Sequence, residues 1–334
     1  MKKVAVVILN WNGIELLKKF IPNTINNSKD SNIYVIDNYS NDDSVNFLKI
    51  NYPSIKVIEL DKNYGFAEGY NIGLGEINEE IYCLLNNDIK VTKDWLDPIV
   101  KEFENINTSI IQPLILDYNN QGKFEYAGAA GGFIDKYGYP FCRGRIISTI
   151  ENNTNQYNDS NVFWASGACL FVRKKVFHEL NGFDKDFFAH QEEIDFCWRA
   201  YNLNYNCRVV TSSEVFHIGA YTIKENAHKT YLNYRNSLLM LVKNLPFNKL
   251  FSILSQRIII DIISSFYLLF NLRIIKFLAV YRAYFSLIIK FIITYKKRGK
   301  SLKKDRYYYV NSIIYNYFIL KKRKFFELKY NKLP

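Results

Sequence analysis

Residues 81–88 read IYCLLNND, and this stretch sets the fold hypothesis for the whole chain. Its first five residues are apolar, as in a strand that is buried on both faces of a sheet. The run then ends abruptly in Asn86, Asn87 and Asp88. Asp88 could cap the next helix, since Asn and Asp are common stop and cap residues. It could equally hold something that needs an oxygen ligand where the sheet ends, and both interpretations stay open at this point.

Three similar apolar runs precede this one, each separated from the next by a helix-like stretch. They are VAVVILN (4–10), IYVIDN (33–38) and IKVIEL (55–60), and IYCLLNN (81–87) is the fourth. Such alternation predicts an α/β fold, with a parallel sheet covered by helices on both faces. Ligands bind beyond the carboxyl ends of the strands in these sheets. The polar strand ends therefore outline a candidate site, which comprises Asn10, Asn12, Asp37, Asn38 and Asn86 to Asp88.

The composition predicts a large apolar core and an uneven distribution of charge. Of the 334 residues, 49% are apolar and 16% aromatic, and the length is typical of roughly two domains. From Pro246 onward 19 Lys or Arg stand against 3 Asp or Glu, whereas the preceding part carries 25 basic and 29 acidic residues. We therefore expect a catalytic body over residues 1–245 and a basic, amphipathic helical region over residues 246–334.

Several classes of protein are disfavoured by the motifs of the sequence. There is no G-x-G-x-x-G after the first strand and no G-x-x-x-x-G-K-[ST], which argues against a dehydrogenase or a P-loop enzyme. The five cysteines are scattered without C-x-x-C spacing, which fits unpaired thiols in a reducing compartment and no structural zinc site. The N-terminal apolar run is too short for a signal peptide, so we expect it to be the first strand of a cytosolic domain.

Several ordered motifs carry a family resemblance over about residues 3 to 240. They are VAVVILNWNG, YVIDNYSNDDS, NYGFAEGYNIGL, LLNNDI, WASGACLFVRKKVFHELNGFDKDFF, HQEEIDFCWR and VFHIGAYT. In this order they resemble family 2 glycosyltransferases with the GT-A fold, in the rhamnosyltransferase-like group. The resemblance implies a mixed, mostly parallel sheet flanked by helices, and a reaction that moves a sugar from a nucleotide donor.

The resemblance also implies a binding site for the nucleotide sugar. In the family, the first strand and the Asp after the second strand hold the base, and the N-x-G-F-A-x-G-x-N segment closes over the nucleotide. The D-x-D-type element of the family corresponds to Asn86-Asn87-Asp88, with Asn86 facing the ribose. The positions carried over for nucleotide-sugar binding are Leu9, Asn10, Asn12, Asp37, Asn38, Asn63, Gly65, Phe66, Asn71, Asn86 and Asn87.

Asp88 and His217 resemble the metal-side ligands of the family. The implied ion is Mg²⁺ or Mn²⁺, because these hard ions favour carboxylate, water and phosphate oxygens. As a Lewis acid, such an ion neutralises the charge that grows on the nucleoside diphosphate when the sugar–phosphate bond breaks. The resemblance therefore assigns Asp88 to metal binding. Without the resemblance, a lone His such as His217 is more often a core or surface residue.

The acceptor hydroxyl must lose a proton, which needs a positioned carboxylate. In the family this base comes from an acidic pair before a helix, written E-D-x-D, and this chain reads Glu192-Glu193-Ile194-Asp195. Glu193 stands where Asp is usual, and its extra methylene moves the carboxylate by roughly 1.5 Å. Either Glu193 or Glu192 is therefore the candidate base. The alternative is a solvated helix face on which Glu192, Asp195 and Arg199 pair at helical spacing.

The acceptor side follows from the same resemblance. Trp164, Ser166 and Gly167 lie on the strand that forms this side in the family, and Asp195 follows the acidic pair. Trp164 suits the apolar face of a sugar ring, although an aromatic residue in a strand is more often part of the core. Three arginines are candidates for contact with a phosphate group, such as that of a lipid diphosphate, or are ordinary surface cations: Arg143, Arg145 and Arg235.

The region from 250 to 295 is strongly apolar but interrupted by charges. Its longest uncharged stretch, IISSFYLLFNL, has 11 residues, well under the roughly 20 that a spanning helix needs. Apolar helices with a basic stripe are typical of a membrane interface, and KKRGKSLKKDR and KKRK would attract anionic lipid. The alternative is a helical subdomain packed on the catalytic body. No nucleic-acid-binding motif accompanies the positive charge, so no nucleic-acid partner is expected.

Together these features predict an inverting, metal-dependent glycosyltransferase at the cytoplasmic face of a cell membrane. We expect it to transfer a sugar, namely rhamnose from dTDP-rhamnose, to a lipid-linked glycan during assembly of a bacterial surface polysaccharide. The alternative is a membrane-associated scaffold or binding protein that keeps the fold without catalysis. The oligomeric state is left open by the sequence.

Overall fold

The computed structural model describes residues 3–219, 226–299 and 303–329. Strands and helices alternate through the first third of the chain, as the apolar runs predict. The strands are β1 (Val4–Asn10), β2 (Ser31–Asp37), β3 (Lys56–Glu59), β4 (Ile81–Asn86), β5 (Ile89–Val91), β6 (Thr108–Asp117), β7 (Gly132–Ile134), β8 (Pro140–Cys142), β9 (Arg145–Ile146), β10 (Thr149–Ile150), β11 (Ser160–Val162), β12 (Cys169–Arg173) and β13 (Asn206–His217). The helices are α1 (Ile14–Asn27), α2 (Ser44–Asn51), α3 (Gly65–Leu74), α4 (Leu96–Glu102), α5 (Lys174–Glu179), α6 (Glu192–Asn202), α7 (Ala227–Asn244), α8 (Phe247–Phe270) and α9 (Ile274–Lys296).

The main sheet has the strand order β11-β13-β6-β12-β4-β1-β2-β3, and β5 pairs with β13. The four N-terminal strands pair in parallel, with β1 between β4 and β2 and with β3 at the edge. Strand β12 runs antiparallel to both β4 and β6, and β13 runs parallel to β6. The predicted α/β fold with a mixed sheet is therefore confirmed.

The side chains of β1 show why the sheet is buried on both faces. Successive residues of a strand point to opposite faces. Ala5 and Val7 belong to one apolar cluster, whereas Val4, Val6 and Ile8 belong to the cluster on the other side of the sheet. An uninterrupted apolar run is thus the pattern of a central strand, and the polar residues that follow mark its end.

A second, smaller sheet of β7, β8, β9 and β10 lies beside the main one and is covered by the C-terminal segment 303–329. The ring of Phe325 packs on Phe133 at 5.4 Å, and Tyr307 stacks on Trp198 at 4.8 Å between centroids. The segment contains two short helical turns, a π-helical turn at Tyr315–Ile319 and a 3₁₀ turn at Phe325–Glu327. The predicted C-terminal region is therefore divided, because Tyr307, Tyr317 and Phe325 of this segment are buried, although Tyr315, Phe318 and Phe326 are exposed.

The helices α8 and α9 have 24 and 23 residues and are long and apolar enough to cross a membrane. The longest uncharged stretch of the sequence underestimates the length of the apolar surface on these helices, because Arg257 and Asp261 pair at 2.9 Å inside the protein. Their side chains are 3% and 0% exposed, so these charges do not interrupt the outer surface. That surface carries exposed apolar residues along both helices: Ile259, Ile263, Phe266, Tyr267 and Phe270 on α8, and Leu278, Phe285, Ile288, Ile289 and Ile292 on α9.

The pair also fastens α8 to the catalytic body. Arg257 donates to the carbonyl of Tyr137 at 2.6 Å, Tyr139 donates to the carboxylate of Asp261, and Tyr284 of α9 donates to the same carboxylate at 2.7 Å. One buried carboxylate thus joins α8, α9 and the turn that follows β7.

Replacing Asp261 by Ala should destabilise the protein strongly, because the Arg257 guanidinium would remain buried without its partner. We expect a loss of about 3–5 kcal/mol in the free energy of unfolding, measured by urea denaturation in neutral detergent. Lys249→Ala is the matched control, because it removes a pair with Asp305 whose side chains are 36% and 61% exposed. That change should cost at most about 1 kcal/mol, and equal losses in the two variants would contradict the assignment.

Candidate active site

The parallel register of the first strands brings their polar ends together. Asn10 pairs with Asp37 across β1 and β2, and Leu9 pairs with Asn86 across β1 and β4. The Asn10 amide donates to Asp37 at 3.2 Å and accepts from the Asn87 amide at 3.0 Å. The predicted clustering of these strand ends is therefore present in the structure.

Ser40 was not predicted, and it ties this cluster to the loop after β1. Its hydroxyl donates to Asp37 at 2.6 Å and accepts from the backbone N–H of Asn12 at 2.9 Å. The Asn12 side chain in turn accepts from the N–H of Asn41 at 2.7 Å. Ser40 lies in the polar run NYSNDDS, and a Ser three residues after a strand-end Asp is a local signal that could have indicated it.

Asn38 connects the end of β2 to the start of α3. Its amide donates to Asn63 Oδ1 and to the carbonyl of Gly65, both at 3.0 Å, and its oxygen accepts from the N–H of Tyr64 at 2.9 Å. Gly65 has φ of +74°, and a Cβ there would lie 2.5 Å from the Phe188 ring. Both the backbone conformation and the close ring explain why this position is glycine.

Phe66 and Asn71 fasten α3 to the segment that leads to the acidic pair. The N–H of Phe66 donates to the carbonyl of Phe188 at 2.8 Å, and Asn71 exchanges two hydrogen bonds with the backbone of Phe183 at 2.8 and 2.9 Å. A Cβ on Gly167 would lie 3.3 Å from the Phe66 ring and 3.7 Å from Glu193 Cβ. Gly167 therefore sits between the predicted nucleotide segment and the candidate base.

Asp88 meets His217 because β5 pairs with the end of β13. The register places Ile89 opposite His217, and the N–H of Ile218 donates to the carbonyl of Asp88 at 3.2 Å. His217 Nε2 lies 3.0 Å from Asp88 Oδ1, and both side chains are buried. The two predicted metal ligands are thus adjacent in the structure.

Glu125 completes this array from the other side of the imidazole, and the sequence analysis missed it. Its Oε1 lies 3.3 Å from His217 Nδ1, and its Oε2 accepts from the N–H of Ala127. Burial disfavours a charged His217 ring, but the carboxylates of Glu125 and Asp88 outweigh burial and raise the pKa of His217 to about 10. The only local signal was a single acid in the Gly- and Ala-rich segment EYAGAAGG.

The geometry fits a divalent cation at Asp88 and His217. At this pKa the ring carries both protons, with Nε2–H directed at Asp88 Oδ1 at 3.0 Å and Nδ1–H at Glu125. A divalent cation bound here would displace the Nε2 proton and take its place between the Nε2 lone pair and the Asp88 carboxylate. Neighbouring ligands of an octahedral ion with bonds of 2.0–2.1 Å also lie about 3 Å apart. In the described part of the chain no three His, Cys, Asp or Glu residues are grouped to hold one ion. The two side chains would therefore leave positions for water and phosphate oxygens.

The acidic pair begins α6 and follows a strained loop. Phe188, His190 and Gln191 have φ between +63° and +72°, a region that is unfavourable for residues other than glycine. Asn236 of α7 holds this loop by donating to the carbonyls of Ala189 and His190 at 2.9 and 2.7 Å. Sequence reasoning missed Asn236, which carries no local signal because its partners lie far away in the chain.

The two glutamates share one environment, in which burial disfavours the charged form of each. Burial raises the pKa of Glu193 to about 7. Burial and the negative charge of Glu193 raise the pKa of Glu192 well above its usual range. Each side chain has a buried oxygen, Oε2, without a hydrogen-bond partner among the described residues. A carboxylate of this kind is poised to accept a proton near neutral pH.

Two residues predicted for the acceptor side have structural roles instead. The indole of Trp164 is 2% exposed, donates to the carbonyl of Phe133 at 2.9 Å and lies against Gly132, so it offers no face to a sugar. Asp195 is fully buried and binds Lys243 at 2.8 Å. Its carboxylate also accepts from Arg199 of α6 and from Asn244 of α7, so the predicted solvated helix face is wrong for it.

The predicted arginines also donate hydrogen bonds to backbone carbonyls. Arg235 donates to Asp186 and Phe187 at 3.0 and 2.9 Å, Arg143 to Ala130 at 2.7 Å and Arg145 to Tyr126 at 2.9 Å. All three are buried, so they hold loops in place and do not present a guanidinium to a phosphate group. Ser166 lies next to Gly167, and its backbone N–H donates to the side chain of Gln112 at 2.8 Å.

Comparison with known proteins relates this chain to glycosyltransferases. The profile of glycosyl transferase family 2 matches residues 5–180. The low-salt glycan biosynthesis hexosyltransferase Agl10 of Haloferax volcanii is 26% identical, over 71% of this chain and 74% of its own length. The rhamnosyltransferase WbbL of Escherichia coli is also 26% identical, over 59% of this chain and 76% of its own length.

Solved structures show the same fold at low sequence identity. GalNAc-T7, crystallised with UDP, GalNAc and Mn²⁺, superposes with a TM-score of 0.58 at 15% identity over 75% of this chain, which spans about half (49%) of that protein. The mannosyltransferase PcManGT of Pyrobaculum calidifontis, in complex with GDP-Man and Mn²⁺, gives 0.53 at 13% identity over 86% of this chain and 74% of its own. The sheet order, the strand-end cluster and the family profile lead to one conclusion: the chain belongs to glycosyl transferase family 2 and is a glycosyltransferase with the GT-A fold.

Proposed function

We propose that this enzyme transfers a sugar from a nucleoside diphosphate donor to a hydroxyl of a lipid-linked glycan, with inversion and with Mg²⁺ or Mn²⁺. The metal-dependent mechanism rests on one observation. The buried side chains of Asp88 and His217 lie beyond the end of β4, with 3.0 Å between Asp88 Oδ1 and His217 Nε2. When bound there, a divalent ion would neutralise the charge of the departing nucleoside diphosphate. The strand-end residues Asn10, Asp37 and Asn38 would position the nucleotide, and Asn86 would face its ribose.

In this proposal Glu193 is the base and Glu192 supports it. A carboxylate whose pKa is near 7 is half ionised at neutral pH, where it can still take a proton from a hydroxyl. Burial and the negative charge of Glu193 also raise the pKa of Glu192, so ionisation of one glutamate disfavours ionisation of the other. The position of Gly167, where an added Cβ would lie 3.3 Å from Phe66 and 3.7 Å from Glu193 Cβ, supports an acceptor position between the donor segment and the base.

We further propose that the donor is dTDP-rhamnose and that the acceptor is held at the cytoplasmic face of a membrane. WbbL is named a rhamnosyltransferase, and a Mycobacterium tuberculosis protein that is 21% identical is named N-acetylglucosaminyl-diphospho-decaprenol L-rhamnosyltransferase. The exposed apolar surface of α8 and α9 supports peripheral membrane association. The only acidic residue of 246–299 is Asp261, which is buried, so this surface presents cations alone to an anionic bilayer.

Asp88→Ala should abolish metal-dependent donor binding while the protein stays folded. Calorimetric titration with dTDP in the presence of Mn²⁺ measures this directly. Asp97→Ala is the matched control, since Asp97 is an exposed carboxylate in the first turn of α4. If Asp88→Ala binds dTDP with an unchanged dependence on Mn²⁺, Asp88 is not a metal ligand.

Glu193→Gln should lower turnover by about 10²-fold or more, because an amide cannot accept the proton. The wild-type rate should rise with pH through about 7, since the raised pKa keeps Glu193 protonated below that value. The rate of Glu193→Gln should lack this rise, while its affinity for the donor stays nearly unchanged. A fully active Glu193→Gln beside an inactive Glu192→Gln would assign the base to Glu192.

Ile288→Asp should weaken binding to vesicles that contain anionic lipid, because it places a charge in the apolar face of α9, where Ile288 is 74% exposed. Flotation of vesicles with bound protein measures the effect. Ile106→Asp is the matched control, because Ile106 is 80% exposed but lies on the catalytic body.

Replacing the lysines and arginines of KKRGKSLKK and KKRK by Gln, or raising the salt concentration, should also weaken binding to these vesicles (Lys300 lies outside the described residues). Wild-type protein that stays unbound at low salt would refute membrane association.

A further inference from the structure

Side chains at the start of α7 pack against the middle of α9, and this contact is called the junction below. Leu232 packs with Ala279 and Ala283, and the Tyr231 hydroxyl donates to Ser286 at 3.4 Å. The guanidinium of Arg282 lies over the Tyr231 ring, 4.4 Å from its centroid. This junction fixes the position of Arg282 relative to the catalytic body.

His228 and Arg282 both lie at the Tyr231 ring, with 6.1 Å between the His228 and Tyr231 centroids, and Lys229 follows His228 in α7. His228 and Arg282 are exposed and Lys229 is half-buried. Among the residues that the structure describes, none of the three forms an ion pair. Further along α9 the situation differs, because Lys297 binds Asp184 at 2.6 Å and Asp186 at 2.7 Å. Within the described ranges, therefore, the cations at the start of α7 lack a carboxylate partner, whereas Lys297 after α9 has two.

The junction is also linked to the acidic pair. Arg235, one turn after Tyr231, donates to the carbonyl of Phe187, and Asn236 donates to the carbonyl of His190. Burial lowers the pKa of His190 to about 4, and the charges of Lys229 and His228 add to this effect. The cations thus lie close to the residue that precedes Gln191 and the glutamates of α6.

On its other side the junction borders the apolar face of α9. Leu278, Phe285 and Ile289 are exposed and stand at helical spacing from Arg282, so they lie on the same face. A ligand bound at Arg282 would therefore have the catalytic body on one side and a long hydrocarbon-like surface on the other.

We propose that His228, Lys229 and Arg282 bind the diphosphate of the lipid-linked acceptor, whose hydrocarbon chain lies along the exposed face of α9. The inference rests on the proposed function and names the binding site for one part of its acceptor. A diphosphate carries several negative charges, and the planar guanidinium of Arg282 matches two phosphate oxygens at once. This site takes the role that the sequence assigned to Arg143, Arg145 and Arg235.

Binding of farnesyl diphosphate in neutral detergent micelles tests the site. The titration is done with EDTA, so that the diphosphate cannot bind through a metal at Asp88 and His217. The double variant Lys229→Gln, Arg282→Gln should bind about tenfold more weakly or worse than wild type, because charge-assisted contacts are lost. Lys175→Gln is the matched control, since Lys175 is an exposed cation of α5 on the catalytic body, and the affinity of this variant should be unchanged.

Further ligands separate the possible sources of phosphate. Farnesol should bind wild type and double variant equally, because it lacks the diphosphate. If phosphatidylglycerol micelles displace farnesyl diphosphate as well as unlabelled farnesyl diphosphate does, the site serves phospholipid headgroups and the proposal is wrong. Unchanged affinity in the double variant overturns it as well. Mn²⁺-dependent binding of dTDP should persist in the double variant, and its absence from the wild type would count against the proposed function alone.

Discussion

The approach of Asp88 to His217 depends on one piece of backbone pairing. Strand β5 is only three residues long, yet it pairs with the end of β13 and places Ile89 opposite His217. Because Asp88 directly precedes β5 and follows the buried strand β4, both side chains are held at the carboxyl end of the sheet. The carboxylate of Glu125 then fixes the imidazole from its other side. Two carboxylates around a buried histidine create the negative site that a divalent cation would occupy.

The acidic pair depends on a second long-range arrangement. The loop before α6 adopts unfavourable backbone conformations, and such conformations persist only where the surrounding structure determines them. Here α7 supplies that support, since Asn236 and Arg235 bind the loop carbonyls. Lys243 and Asn244, later on the same helix, bind Asp195 inside α6. The helix that precedes the apolar pair α8 and α9 thus positions the candidate base.

This connection gives a physical link between the apolar surface of α8 and α9 and the candidate base. Helix α7 contacts α9 at its start and the loop before Glu192 along its length. The buried pair of Arg257 and Asp261 fastens α8 to the turn after β7. The apolar surface is therefore a rigid part of the enzyme, which would keep the active site at a constant height above a bilayer.

The sequence by itself determined the parallel strands, the polar strand ends and the separation of charge. These features are local: an apolar run with a polar end is readable from neighbouring residues, and a count of charges needs no contacts. The order of motifs also indicated the family, which the match over residues 5–180 confirms.

Only the tertiary structure decided which polar and charged side chains are available to a ligand. Arg235, Asp195 and Trp164 fit the pattern of binding residues, but their polar groups are bound within the protein. Glu125 had no recognisable motif, yet it contacts His217. The charges of Arg257 and Asp261 interrupt the apolar sequence of α8 but not its surface, because they neutralise each other in the interior. The physical reason is the same in each case: burial and ion pairing arise from residues far apart in the chain, which local periodicity does not encode.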